Sequence, residues 1–168
     1  MKKALIIILA LICLLGLVGC DPGVKTLDRG ELLENTVKIE LYYYENTDPK
    51  RINLNSKKTP SFDFSKATFI AALEESHFED VVKDIAEQEC LVFPRILNEP
   101  IGKTMILYQA NGNMVVLFGC VYKEENAPTK YYGECNVFDE NGVFVEHIGN
   151  IGSDYVDTLE SRYFNDNT

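Results

Sequence analysis

The chain has 168 residues, 46% of them hydrophobic and 25% charged. That composition fits one globular domain and excludes a disordered chain, a collagen-like chain and a disulfide-dense miniprotein. Acidic residues outnumber basic ones by 26 to 16, for a net charge of −10, which argues against nucleic-acid binding because neutralising phosphates takes clustered Lys and Arg.

Lys2 and Lys3 form a positive start, and Ala4 to Gly19 is an uncharged apolar run. The run is too short for a spanning helix, which needs ~20 apolar residues, and suits the apolar core of an export signal. It ends in Leu17-Val18-Gly19-Cys20, which resembles the lipobox of bacterial lipoproteins. The resemblance implies that residues 1–19 are a lipoprotein signal peptide. It also implies that Cys20 receives a diacylglyceryl thioether and becomes the new N-terminus. The chain would then be lipid-anchored at the extracytoplasmic face of the cell membrane. Two acyl chains hold stably where one is marginal, at ~0.8 kcal/mol per buried CH₂. Without Lys2 and Lys3 the remainder is still more acidic, so it should not adhere electrostatically to anionic lipid.

Residues 20–35 read as anchor and tether, with the polar stretch Gly23 to Asn35 compatible with a short helix; residues 36–168 read as a single domain. Val37, Ile39, Leu41 and Tyr43 alternate with Lys38, Glu40, Tyr42 and Tyr44, the period of a half-buried strand. Ile52 and Leu54 alternate in a shorter strand, and Asn46 to Pro49 between them predicts a hairpin. Ala67 to Leu73 fits strand or helix. Ser76 and Glu79 have capping-box spacing, and Phe78, Val81, Val82, Ile85 and Ala86 form one helical stripe, predicting an amphipathic helix from Ser76 to about Glu89.

Cys90 to Phe93 is a short apolar run, and Pro94 to Gly102 reads as loop. Asn111-Gly112 between the apolar runs Thr104–Gln109 and Met114–Tyr122 is a hairpin signal. The uncharged second run predicts a central strand covered on both faces. Tyr131–Asp139 and Phe144–Ile151 form another hairpin around Glu140-Asn141-Gly142. Ser153 should cap a last helix, with Tyr155, Val156, Leu159 and Tyr163 on one face. The short connections require antiparallel pairing. The expected class is therefore α+β: an antiparallel β-meander of about five to seven strands with one or two packed helices.

Once Cys13 leaves with the leader and Cys20 carries lipid, Cys90, Cys120 and Cys135 remain. Cys120 and Cys135 are equidistant from Ala127-Pro128, so a turn centred there would let them form a cross-strand disulfide. The alternative is three buried, inert thiols. No Cys-x-x-Cys spacing suggests zinc or redox chemistry. His77 and His147 have no sequence partner that would make either a base or a nucleophile. Asp139 to Gly142 departs from a calcium loop, because Val137 and Ile148 fall where ligands are needed. No metal and no cofactor is expected.

Tyr42 and Tyr44, on the polar side of the first long strand, are candidate binding residues, since tyrosine joins a rigid apolar body to a polar tip. Beyond the lipobox, Pro60-Ser61-Phe62-Asp63-Phe64, Pro100-Ile101-Gly102, the Asn111-Gly112 hairpin and Tyr163-Phe164 resemble stretches of uncharacterised small lipoproteins of Gram-positive anaerobes. That likeness spans most of residues 36–164 and implies an exported lipoprotein with no activity to carry over. The expected function is a non-enzymatic binding or interaction module, its possible partner a basic protein or peptide. The alternatives are an inhibitor or immunity-type protein that blocks a secreted enzyme or toxin, and a hydrolase using carboxylates such as Asp63 and Glu134.

Overall fold

Uncharged, β-branched runs dominate the second half of the chain, and they form the centre of an antiparallel sheet. The computed structural model describes residues 24–26, 33, 35–46, 51–53, 61–91, 96–122 and 130–164. Residues 1–23, which include Cys20 and the run read as a signal peptide, and the segment around Ala127-Pro128 lie outside the described residues. In chain order the elements are β1 (Val24–Thr26), β2 (Thr36–Tyr44), β3 (Arg51–Asn53), β4 (Ala67–Ala72), α1 (Phe78–Glu87), β5 (Glu89–Leu91), β6 (Ile96–Asn98), β7 (Ile101–Gln109), β8 (Met114–Tyr122), β9 (Lys130–Phe138), β10 (Phe144–Ile151) and α2 (Tyr155–Tyr163). The fold is α+β. Six strands in the order β10-β9-β8-β7-β2-β4 make the body of the sheet, and the short β5 and β1 extend it beyond β10. Both helices pack on one face.

The meander from β7 to β10 follows its turn residues. Gln109 N–H donates to Asn113 O at 2.8 Å and closes the Asn111-Gly112 hairpin. Asp139 Oδ1 accepts from Asn141 N at 2.9 Å and Val143 N at 2.8 Å and closes the next one. Gly142 is required there: its φ is +75°, and a Cβ would lie 2.5 Å from Phe62 O. That contact docks residues 61–63 on the turn, with Phe62 N–H donating back to Gly142 O at 2.7 Å. Met114 to Phe118 are buried on both faces of the sheet, as expected for an uncharged central strand.

Alternation sorts the side chains into two cores. Under the helices, Ile39, Leu41, Leu107 and Leu117 meet Val81 and Ile85 of α1 and Val156 and Leu159 of α2. Each fully buried Leu or Ile contributes about 1.5–3 kcal/mol. On the opposite face, Ile106, Val116, Phe118 and Phe138 pack with Tyr44 and Phe62. Asp84 joins the helices: its carbonyl accepts from Tyr155 Oη at 2.9 Å, and its carboxylate accepts from Tyr163 Oη at 2.6 Å and pairs with Arg162.

Several expectations need correction. β3 does not pair with β2; it forms a separate two-stranded ladder with β6, inside the stretch read as loop. The position beside β2 is filled by β4, so the ambiguous run is a strand. Val24–Thr26 is a strand against β5 rather than part of a short helix. Neither serine caps its helix. A 3₁₀ turn at Glu75–His77 absorbs Ser76, so α1 begins later with His77 at its N-cap, and α2 has Asp154 there. The helical stripe itself is as read, with Val81, Ile85 and Ala86 buried.

Candidate functional site

Along β9, Cys135 packs in the core under the helices, so by alternation Tyr132, Glu134 and Asn136 point to the other face. Glu134 is 0% exposed there. Its carboxylate accepts from Asn98 N–H (Oε1, 3.2 Å), from Asn98 Nδ2 and from Asn136 Nδ2 (Oε2, 3.1 Å). Asn98 Nδ2 also reaches Tyr132 Oη at 3.1 Å. β6 is thereby laid over the sheet, with its last residue held by a carboxylate.

The chain of contacts runs on through Asn136. Its amide nitrogen faces Glu134, so its Oδ1 faces His147 Nδ1 at 2.6 Å. An amide oxygen only accepts, which places the imidazole proton on Nδ1. His147 Nε2 is buried and without a hydrogen-bond partner. Burial pushes the Glu134 carboxyl up, against the pull of its amide donors, and pushes the His147 imidazole down. Both shifts favour the neutral forms.

Cys120 Sγ lies 3.3 Å from Tyr132 O and 3.8 Å from Glu134 Oε1. Burial, aided by the Glu134 charge, drives its thiol well above the usual range. A nucleophilic cysteine needs the opposite environment. The cluster is a strand-pinning network.

Cys120 and Cys135 are not brought together. Cys120 opposes Tyr132, and Cys135 opposes Leu117. This register differs by an odd number of residues from one centred on Ala127-Pro128, and an odd shift sends the two side chains to opposite faces. Cys120 lies in one core and Cys135 in the other; both are buried and outside any disulfide, and Cys90 is buried as well.

The two candidate tyrosines are packing residues. Tyr44 is only 3% exposed and lies 5.1 Å, centroid to centroid, from Phe62. Tyr42 is half-buried, donating to Glu40 Oε2 at 2.6 Å and standing 3.0 Å from Tyr108 Oη. The face that carries them is covered near Tyr44 by Phe62, which alternation alone does not reveal. Asp63 and Glu134 do not form a carboxylate pair. Asp63 is exposed and accepts from Ser65 N and Oγ, while Glu134 lies in the β6 network. His77 packs near Tyr163, with ring centroids 6.5 Å apart.

Two surface features remain. A cavity of about 230 Å³ opens where Gly102 and Gly119 lack side chains, bounded by Lys103, Tyr131, Ser153 and Asp157. Lys103 is already held by Glu160 and, at 2.9 Å, by Asp157. The second is β4, at the outer edge of the sheet. Ala67 to Leu73 carries no charge, and Phe69 is 54% and Ile70 44% exposed. Tyr43, on the neighbouring strand, is exposed as well.

The sequence offered a signal for each. A Glu and an Asn two apart in a strand, beside the apolar stripe Val116-Phe118, mark a buried polar site. A seven-residue uncharged run in so acidic a chain marks an unusual edge.

Among the described residues, no group of three metal-ligating side chains converges and no helix is long and apolar enough to cross a membrane. Comparison with family models, curated proteins and solved structures found no match.

Proposed function

We propose that this chain is a lipid-anchored binding module outside the cell, non-enzymatic, that docks an extended strand on the edge of its sheet at β4. The single observation that carries the reading is the uncharged edge run from Ala67 to Leu73, with Phe69 and Ile70 open to solvent. Natural sheets blunt their edges with lysine, proline or inward charge, because unpaired N–H and C=O groups template another strand. β4 has none of these residues. Strand addition takes its affinity from main-chain hydrogen bonds and its selectivity from alternate side chains. Here Phe69 and Tyr43 supply apolar contacts beside that ladder.

The location rests on Leu17-Val18-Gly19-Cys20 at the end of an uncharged run. The non-enzymatic part draws support from the occupation of the candidate groups: Glu134 and His147 hold β6 and β10 together through Asn136, and Asp63 closes a turn.

The test is a photoreactive side chain in place of Phe69 in the full chain in its own membrane, with Val145 on β10 as the control position. The reading expects a discrete protein adduct from position 69 only. No adduct, or the same adducts from both positions, would contradict it.

A further inference from the structure

We infer that the occupant of the β4 edge is a second copy of this chain, paired antiparallel about a two-fold axis near Phe69 and Ile70. The inference rests on the reading of β4 as a docking edge and names its partner. The uncharged run is bracketed by opposite charges: Lys66 precedes it, and Glu74 and Glu75 follow it. All three are exposed. An antiparallel copy brings Lys66 of each chain to the Glu74-Glu75 end of the other, twice over. A parallel copy would align Lys66 with Lys66 and the acids with the acids. Opposite charges across a ladder stabilise it and like charges oppose it. The strand is therefore complementary to itself in one orientation, and that orientation closes as a dimer rather than growing as a fibre.

The same edge limits the strength of the pairing. Leu41 opposes Ala71 and Tyr42 opposes Phe69, so Ile70 is an extra, bulged residue. A bulge bends its strand and interrupts regular pairing. Short stretches of ladder on either side bury little area, at or below the ~1,200 Å² total of the smaller specific interfaces. Such a contact dissociates readily in dilute solution. Two copies held on one membrane by their lipids meet at a far higher effective concentration, which favours the pair without any new contact.

The experiment uses the full chain in its native membrane. Ile70→Cys places a thiol beside the proposed axis, and Thr68→Cys is the control, because in this register it lies about 13 Å along the strand from its symmetry mate, beyond the ~7 Å Cα separation that a disulfide allows. Mild oxidation should yield a disulfide dimer from Ile70→Cys and not from Thr68→Cys. Lys66→Glu in the Ile70→Cys background should cut dimer formation by about tenfold, as two attractive pairs become two repulsive ones. Adding Glu74→Lys and Glu75→Lys to that variant should restore it. Failure of the combined variant to restore the dimer overturns the inference. Absence of a dimer from Ile70→Cys, with the probe at position 69 marking a different protein, also overturns it but leaves β4 as a docking edge. Absence of both dimer and photo-adduct overturns the docking edge as well.

Discussion

Glu134 accepts hydrogen bonds from both the backbone N–H and the side-chain amide of Asn98, thirty-six residues earlier in the chain. One buried carboxylate therefore fixes the end of β6 on the sheet. The bonds are charge-assisted when Glu134 is ionised, and such bonds contribute about 1.5–3 kcal/mol each. Removing the donor side chain leaves the carboxylate short of partners in a dry site. Asn98→Ala should therefore lower stability by about 2–3 kcal/mol, seen as a lower urea midpoint with little change in slope. A variant that unfolds at the wild-type midpoint would show that this contact does not hold β6.

The two titrating ends of the network pull stability in opposite directions with pH. Glu134 has its folded-state pKa raised above the ordinary 4.5 by burial. Its contribution is complete below that value and is lost as pH rises through the folded pKa. His147 has its folded-state pKa lowered below 6.5, again by burial. Its contribution is complete above 6.5 and is lost as pH falls through the folded pKa. Between these values the two effects oppose each other. Glu134→Gln should make stability rise more steeply with pH than in the wild type, and His147→Gln should make it fall. Urea midpoints across the acid-to-neutral range read both slopes; parallel curves for all three proteins would contradict the assignment.

Cys90, Cys120 and Cys135 should resist a thiol reagent in the folded protein and all react once it is unfolded, since each is buried. Cys120 is the sharpest case, because burial keeps its thiol protonated far above neutral pH. The mass of the protein should equal that of the reduced chain. A deficit of two hydrogens would contradict the reduced state.

Gly142→Ala should destabilise by about 1–3 kcal/mol, because it forces a side chain into a positive φ and against a carbonyl. The Cβ would meet Phe62 O at 2.5 Å, so the loss should appear first at the 61–63 segment. Hydrogen exchange at Phe62 N–H, which donates to Gly142 O, is the local readout. Unchanged protection there would contradict the docking of that segment on the turn.

Much of the fold was legible because its signals are local. Asn111-Gly112 fixes its hairpin within four residues, and Val81, Ile85 and Ala86 declare the buried side of α1 by spacing alone. What was missed depends on distant partners. β3 looked like the return strand of a hairpin, but its ladder is with β6, whose residues sit between Pro94 and Pro100 in a stretch rich in turn formers. Alternation correctly placed Tyr42 and Tyr44 on one side of β2. It could not say that Phe62, from another part of the chain, would cover that side. Ser76 and Ser153 have the right chemistry for caps, yet each falls in the turn that precedes its helix. Of the candidate site, Glu134 was visible as a carboxylate with Asn136 two residues along the same strand, but Asn98, which binds the carboxylate, and His147, which binds Asn136, come from two other strands.

Occupation of the β4 edge is measured most directly by hydrogen exchange of its amides in the full chain in its native membrane. Leu73 N–H donates to β2, and Lys66 O accepts from Glu45 N–H, so these groups face inward, and among the described residues no strand pairs with the outer side of β4. In the native membrane the outer amides should exchange slowly, and on dispersal and dilution in detergent they should exchange fast while β8 stays protected. Equally fast exchange of the outer amides in both states would contradict a docked edge.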